Sequence, residues 1–227
     1  MDPFNLIKII TAVVTIIVSI TVGIRVLLLN PRQLLNIWFS LFFISTSLGF
    51  FFYTIYHLIL DNPFVIIPLM ITAHIFFNFI HISLVMTVFI LEKYKKVAMS
   101  LKYLGSMIVL FFIMSIGYFI WIPTLNMERY LLGIVDTETQ LPWFIFVNLL
   151  RTGLSMYVVY KYATITRKIE DKTKKKVQWF FIGIIFTILA LIINLIGGII
   201  ESILIEIIAL VIIDIGTIAI LKGFLLS

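Results

Sequence analysis

Seven apolar runs, each long enough to cross a bilayer, decide what this chain can fold into. A helix needs about 20 apolar residues to span a hydrocarbon core of about 30 Å. Runs at residues 6–29, 34–60, 65–91, 101–123, 141–162, 177–199 and 203–226 meet that length. The chain is 62% hydrophobic and 12% charged, with a mean hydropathy of +1.18. Soluble domains are nearer half apolar and a quarter charged, so one water-soluble core cannot hide this much apolar surface. The expected fold is an all-α membrane protein, one domain over residues 1–227 that bundles seven transmembrane helices.

The breaks between runs have local causes. Asn30-Pro31 ends the first, because the residue before proline leaves the α region. Asp61-Asn62-Pro63 forms a tight turn after the second. Pro123 closes the fourth, and Pro142 opens the fifth in a first turn, where its missing N–H costs nothing. The first run follows a single Lys8 and ends at Arg25 without an A-x-A-like exit. It therefore reads as a spanning helix and not as a cleaved signal.

Basic residues gather on alternate connectors. One side holds Arg25 and Arg32, then Lys93, Lys95, Lys96 and Lys102, then Lys161, Arg167, Lys168, Lys172, Lys174, Lys175 and Lys176, and finally Lys222. The other side holds Lys8 and Arg129 beside Glu128, Asp136 and Glu138. The positive-inside rule predicts the N-terminus outside, the C-terminus in the cytoplasm and a multi-pass protein of the cell membrane. The net charge of +6 arises from these connectors, so nucleic acid is not an expected partner. Lys172, Lys174, Lys175 and Lys176 form a surface for anionic lipid or for a cytoplasmic signalling protein. The external connector 125–140 is too poor in apolar residues for a separate domain, and its Tyr130–Val135 stretch is expected to rest on the membrane surface.

Ionisable residues deep in the runs are the candidates for function, since a charge at the bilayer centre costs at least a few kcal/mol unless paired or hydrated. Arg151 lies ten residues into the fifth run, about 15 Å deep. Asp214 lies eleven residues into the seventh, at about 16 Å. The two helices run in the same direction, so an Arg151–Asp214 pair is expected. It either locks the two helices together or supplies a counter-charge for a polar ligand or a proton. Asn148, Thr152 and Ser155 share a face with Arg151. His74, Asn78 and His81 form one face of the third helix, with His74 about 14 Å deep. They either line a polar site with Arg151 or make interhelical hydrogen bonds. The histidines sit about 10 Å apart along the axis, too far to share one ion, so no metal site is expected. Glu201 and Glu206 flank an outer turn and could form an acidic mouth above Arg151.

Other features read as packing. Thr11, Thr15, Ser19 and Gly23 recur every four residues, a small-residue stripe that admits a close neighbour within the bundle or in a homodimer. Gly183, Asn194, Gly197 and Gly198 mark close contact on the sixth helix. The chain has no cysteine, which removes disulfides, thiol nucleophiles and Cys-bound metals. No H-E-x-x-H, P-loop or G-x-S-x-G motif appears. A retinal lysine would lie deep in the seventh helix, and Lys222 lies at its end. No catalytic activity and no cofactor are expected.

Three stretches carry a resemblance: Asn36–Tyr53 (NIWFSLFFISTSLGFFFY), Lys176–Leu195 (KVQWFFIGIIFTILALIINL) and Leu210–Leu225 (LVIIDIGTIAILKGFL). They resemble the second, sixth and seventh helices of the seven-transmembrane sensor region at the N-terminus of many prokaryotic histidine kinases. The resemblance implies a sensor whose seventh helix signals to a cytoplasmic domain. The sequence stops directly after the seventh run, so no output domain and no kinase activity are expected of it. The leading expectation is a sensory or receptor-like module that detects a small ligand, a proton or a lipid at His74, Asn78, His81, Asn148, Arg151 and Asp214. It would signal through a partner. A transporter or channel for a small polar or anionic solute is the second expectation, and a structural membrane subunit the third.

Overall fold

The computed structural model of the chain describes residues 3–93, 95–166 and 171–225, with the backbone alone described at 166, 171–176 and 224–225. The four connector lysines Lys172, Lys174, Lys175 and Lys176 therefore lie outside the described side chains. In lipid every backbone N–H and C=O must be satisfied within its own segment, and the long elements here are all helices. Seven among the described residues are long and apolar enough to cross a membrane. We label their helices α1 (Pro3–Leu29), α2 (Leu34–Leu58), α3 (Ile66–Glu92), α4 (Ser106–Ile120, the regular part of a span that runs over Lys95–Ile120), α5 (Leu141–Thr166), α6 (Asp171–Ile199) and α7 (Ile203–Leu225). The protein is a multi-pass membrane protein built as an all-α bundle.

The helices outrun their apolar stretches where charge begins. α5 continues to Thr166 and α6 starts at Asp171, beyond the limits that hydropathy sets. A charged residue ends burial in lipid but does not break a helix, so the apolar run marks the membrane and not the helix end. The fourth span is broken instead. A short helix at Lys95–Ala98 and a π-helical turn at Leu101–Gly105 precede α4. Prolines act as expected at the other ends: Pro63 opens a 3₁₀ turn whose Phe64 N–H donates to Asn62 Oδ1 at 3.2 Å, leading into α3.

The order of helices around the bundle fixes everything that follows. α1 packs on α2, α2 on α3, α3 on α5, α5 on α6, α6 on α7, and α7 returns to α1. Six helices thus close a ring. α4 stands outside it, against α3. Its far face exposes Phe112, Ile116 and Phe119, which suits contact with lipid tails. The small-residue stripe of α1 faces inward: Gly23 leaves so little room that an added Cβ would lie 3.1 Å from Phe43 Cβ. Ser40 Oγ donates to Gly23 O at 2.9 Å across the same contact. Gly183 and Gly216 let α6 and α7 touch backbone to backbone in the same way.

At the end of the bundle that carries the N-terminus, the α4–α5 connector folds into a small lid. Thr124–Leu125 pairs antiparallel with Thr137–Glu138, and the helix Met127–Leu131 lies between them. Arg129 Nη1 bonds Asp136 Oδ2 at 2.5 Å and holds the connector shut on itself. Tyr130 and Val135 are buried against Tyr56, Ile66 and Met70, while Leu131 and Leu132 point outward. The stretch expected on the membrane surface thus anchors in the bundle by two residues and offers two others outward. At the opposite end Val22, Val26, Phe43, Val85, Val88 and Val158 close into the largest apolar core. The ring is open toward the lid and plugged away from it.

Candidate functional site

A cavity of about 590 Å³ runs down the middle of the six-helix ring. Exposed Glu138, Gln140 and Glu201 line its mouth, and buried Ser19, His81 and Arg151 line its depths. Glu201 sits at φ 54°, the left-handed region, where the N–H of Ser202 reaches Gly197 O at 3.0 Å and closes the end of α6. Glu201 and Glu206 both line the cavity, and Glu206 is paired there with Lys8.

Arg151 is 4% exposed and reaches from α5 to α3. Its Nε and Nη2 donate to Asn78 Oδ1 at 3.0 and 2.7 Å, and Nη2 also reaches His74 O and His74 Nδ1 at 3.3 Å. Asn78 is fully buried, and its Nδ2 donates to Met114 O at 2.8 Å and Ser115 Oγ at 3.2 Å. That amide can orient only one way, with its oxygen toward the guanidinium. His74 lies stacked on Tyr118, with ring centroids 4.8 Å apart, and the phenol oxygen is 3.3 Å from Nδ1. Because an arginine only donates, His74 Nδ1 is an acceptor and the imidazole proton sits on Nε2. Every partner of the guanidinium is therefore neutral.

Asp214 is not among them, and this corrects the expected Arg151–Asp214 pair. Asp214 accepts a hydrogen bond from Thr15 Oγ1 on α1. Among the described residues the ion pairs are Lys8–Glu206, Arg129–Asp136 and Lys161–Glu92. α6 stands between α5 and α7 in the ring, and Asp214 faces the other neighbour. Depth is one coordinate, and pairing needs the angle around the bundle as well.

The other expected residues divide between bonding and lining. His81 Nδ1 lies 3.0 Å from Ser155 Oγ, a bond between α3 and α5 one turn below Arg151. Asn148 is 2% exposed and lines the cavity one turn above Arg151. Its Nδ2 donates to Phe144 O at 2.9 Å, while its Oδ1 has no partner. Thr152 Oγ1 is likewise buried without a partner, so neither Thr152 nor Ser155 serves the guanidinium. The structure adds residues that the sequence did not single out. Tyr118 carries no periodic or charge signal on α4. Lys8 reads as a flanking charge but is 4% exposed, lines the cavity and bonds Glu206 Oε2 at 3.4 Å. Ser19 reads as packing but turns a partnerless, fully buried hydroxyl to the cavity.

The arrangement is a water-accessible shaft with a fixed cation on its wall, neutral hydrogen-bonding groups around it and aromatic sides from Phe42, Phe50 and Phe77. It can bind and orient a small polar molecule. No family model, no curated protein and no solved structure matches the chain.

Proposed function

We propose that the protein is a receptor-like membrane module that takes a small ligand into its central cavity from the end carrying the N-terminus. That end faces outside, and the basic end faces the cytoplasm of the cell membrane. The observation that carries this reading is Arg151: a buried cation on the wall of an open cavity, bonded among the described residues by neutral groups alone. A cation used only to lock helices is better served by a carboxylate, since breaking or omitting the pair leaves a charge to be stabilised in low dielectric. The apolar core beyond Phe43 and Val88 favours a receptor over a channel, because a blind shaft binds without conducting. Ligand binding would bias two packings of the ring, and α6 with α7 would carry the change to a cytoplasmic partner. The resemblance of the second, sixth and seventh helices to kinase sensor regions supports the same reading.

The absence of cysteine allows a direct test. In intact cells a membrane-impermeant thiol reagent is expected to label Leu131→Cys, while Lys95→Cys should react only after permeabilisation. The reverse pattern would invert the orientation. A small aqueous thiol reagent is then expected to reach Ser19→Cys from the Leu131 side alone. Reaction from both sides would replace the receptor by a transporter with alternating access.

A further inference from the structure

We infer that the ligand is a small monocarboxylate with an apolar side group and a hydrogen-bond donor next to its carboxylate. The inference rests on the cavity being a binding site and adds what would fill it.

Charge sets the first part. Arg151 offers one positive charge without a carboxylate partner. The cavity lysine Lys8 is already bonded to Glu206 and lies roughly 8 Å nearer the mouth by helix rise. A single negative charge at the guanidinium compensates Arg151 itself. A dianion there would replace one uncompensated charge by another. The rim disfavours polyanions as well: Asp136, Glu138, Glu201 and Glu206 outnumber Arg129 and Lys8 around it. A flat carboxylate also matches the planar donor fork of arginine.

The orphaned groups set the second part. Asn148 Oδ1 is buried, partnerless and one helical turn above Arg151 on the cavity wall. Flipping the amide would turn its oxygen toward Phe144 O, so the orphan is an acceptor and not a misassigned donor. An unsatisfied buried acceptor is destabilising, and a ligand N–H or O–H beside the carboxylate would satisfy it. Below Arg151 the shaft is walled by Phe42, Phe43, Ile80 and Ile220, with the Ser19 hydroxyl among them. An apolar branch fits there. A 2-hydroxy acid with a branched aliphatic side chain has all three features.

The test uses the full chain in lipid nanodiscs and isothermal titration with a matched series. The probes are 2-hydroxy-4-methylpentanoate, leucine, 4-methylpentanoate, 4-methylpentanol and the dianion isobutylsuccinate. The hydroxy acid is expected to bind, with leucine weaker for its added ammonium and 4-methylpentanoate about tenfold weaker for want of one hydrogen bond. The alcohol and the dianion should be weaker still. Arg151→Gln should remove binding, and Asn148→Ala should erase the difference between the hydroxy acid and 4-methylpentanoate. Tighter binding of the dianion, or undiminished binding to Arg151→Gln, overturns the inference. Equal binding of the hydroxy acid and 4-methylpentanoate overturns the role of Asn148. If no probe binds while Ser19→Cys is still labelled from the Leu131 side, the ligand class falls and the cavity reading stands. If Ser19→Cys is not labelled, both fall.

Discussion

Asn78→Leu is expected to lower the unfolding free energy by about 3–5 kcal/mol, the cost of leaving a buried charge without its main partner. Asn78 accepts two bonds from Arg151 and donates two to α4, and it is fully buried. Two mechanisms predict different sizes. Interhelical hydrogen bonds in membranes average about 0.6 kcal/mol each, so four neutral bonds would sum to roughly 2 kcal/mol. The larger figure requires the guanidinium charge. At roughly 2–4 °C per kcal/mol for a chain of this size, the single variant should melt roughly 10 °C lower in nanodiscs. Asn78→Leu combined with Arg151→Met removes the stranded charge along with its acceptor, and should recover more than half of that loss. A double variant no more stable than Asn78→Leu would show that the α3–α4 bonds, and not the charge, carry the effect. Thermal unfolding followed by tryptophan fluorescence distinguishes the two, since Trp143 packs beside this cluster on Tyr118.

Which parts of this could be read from the chain follows from how many dimensions each feature needs. Helix positions need one, distance along the sequence. Hydropathy and the prolines at positions 31, 63 and 142 place the spans to within a few residues, apart from the helical extensions at 163–166 and 171–176 and the fourth span, which begins at Lys95 and not at residue 101. The face shared by His74, Asn78 and His81 needs the helical period as a second dimension, and the three do lie on the α5-facing side of α3. His74 and Asn78 meet Arg151 there, and His81 meets Ser155. The partner of Arg151 needs a third, the order of helices around the ring, and no residue pattern encodes that α4 stands outside it. Depth alone therefore points Asp214 at Arg151, whereas it lies against Thr15. Tyr118 gives no sequence signal for the same reason: an aromatic on an apolar helix becomes a site residue only through the helix it faces. Lys8 was hidden by its position near a terminus, where a lysine ordinarily reaches water. Its burial comes from α2 and α7 closing around it, where Asn5 Nδ2 reaches His57 O at 2.7 Å and Glu206 comes within 3.4 Å.

Gly183→Val is expected to be the most damaging single change outside the polar cluster, because it acts on backbone that cannot yield. A Cβ at Gly183 would lie 2.5 Å from Gly216 O and 2.3 Å from Ile220 Cγ1. Ile220 can rotate, but the Gly216 carbonyl belongs to α7 and moves only with its helix. The reverse contact is as tight, with a Cβ at Gly216 only 2.8 Å from Gly183 O. α6 and α7 must therefore separate along the contact, and overpacking of this kind costs about 1–3 kcal/mol or more. Gly183→Ala should already show most of the loss. Gly153→Ala is the control: nothing lies within 4 Å of its Cβ, and α5 should gain up to about 1 kcal/mol from the better helix former. Melting temperatures moving in opposite directions for the two alanine variants would identify α6–α7 as a rigid pair. Equal small shifts would mean that the helices slide freely past each other. A rigid pair has a consequence for signalling: a ligand beside Asn194 and Leu210 on the cavity wall would displace α6 and α7 as one body. Ligand response should then fail in Gly183→Ala even where binding at Arg151 persists, and a titration of both in the same nanodiscs separates the two.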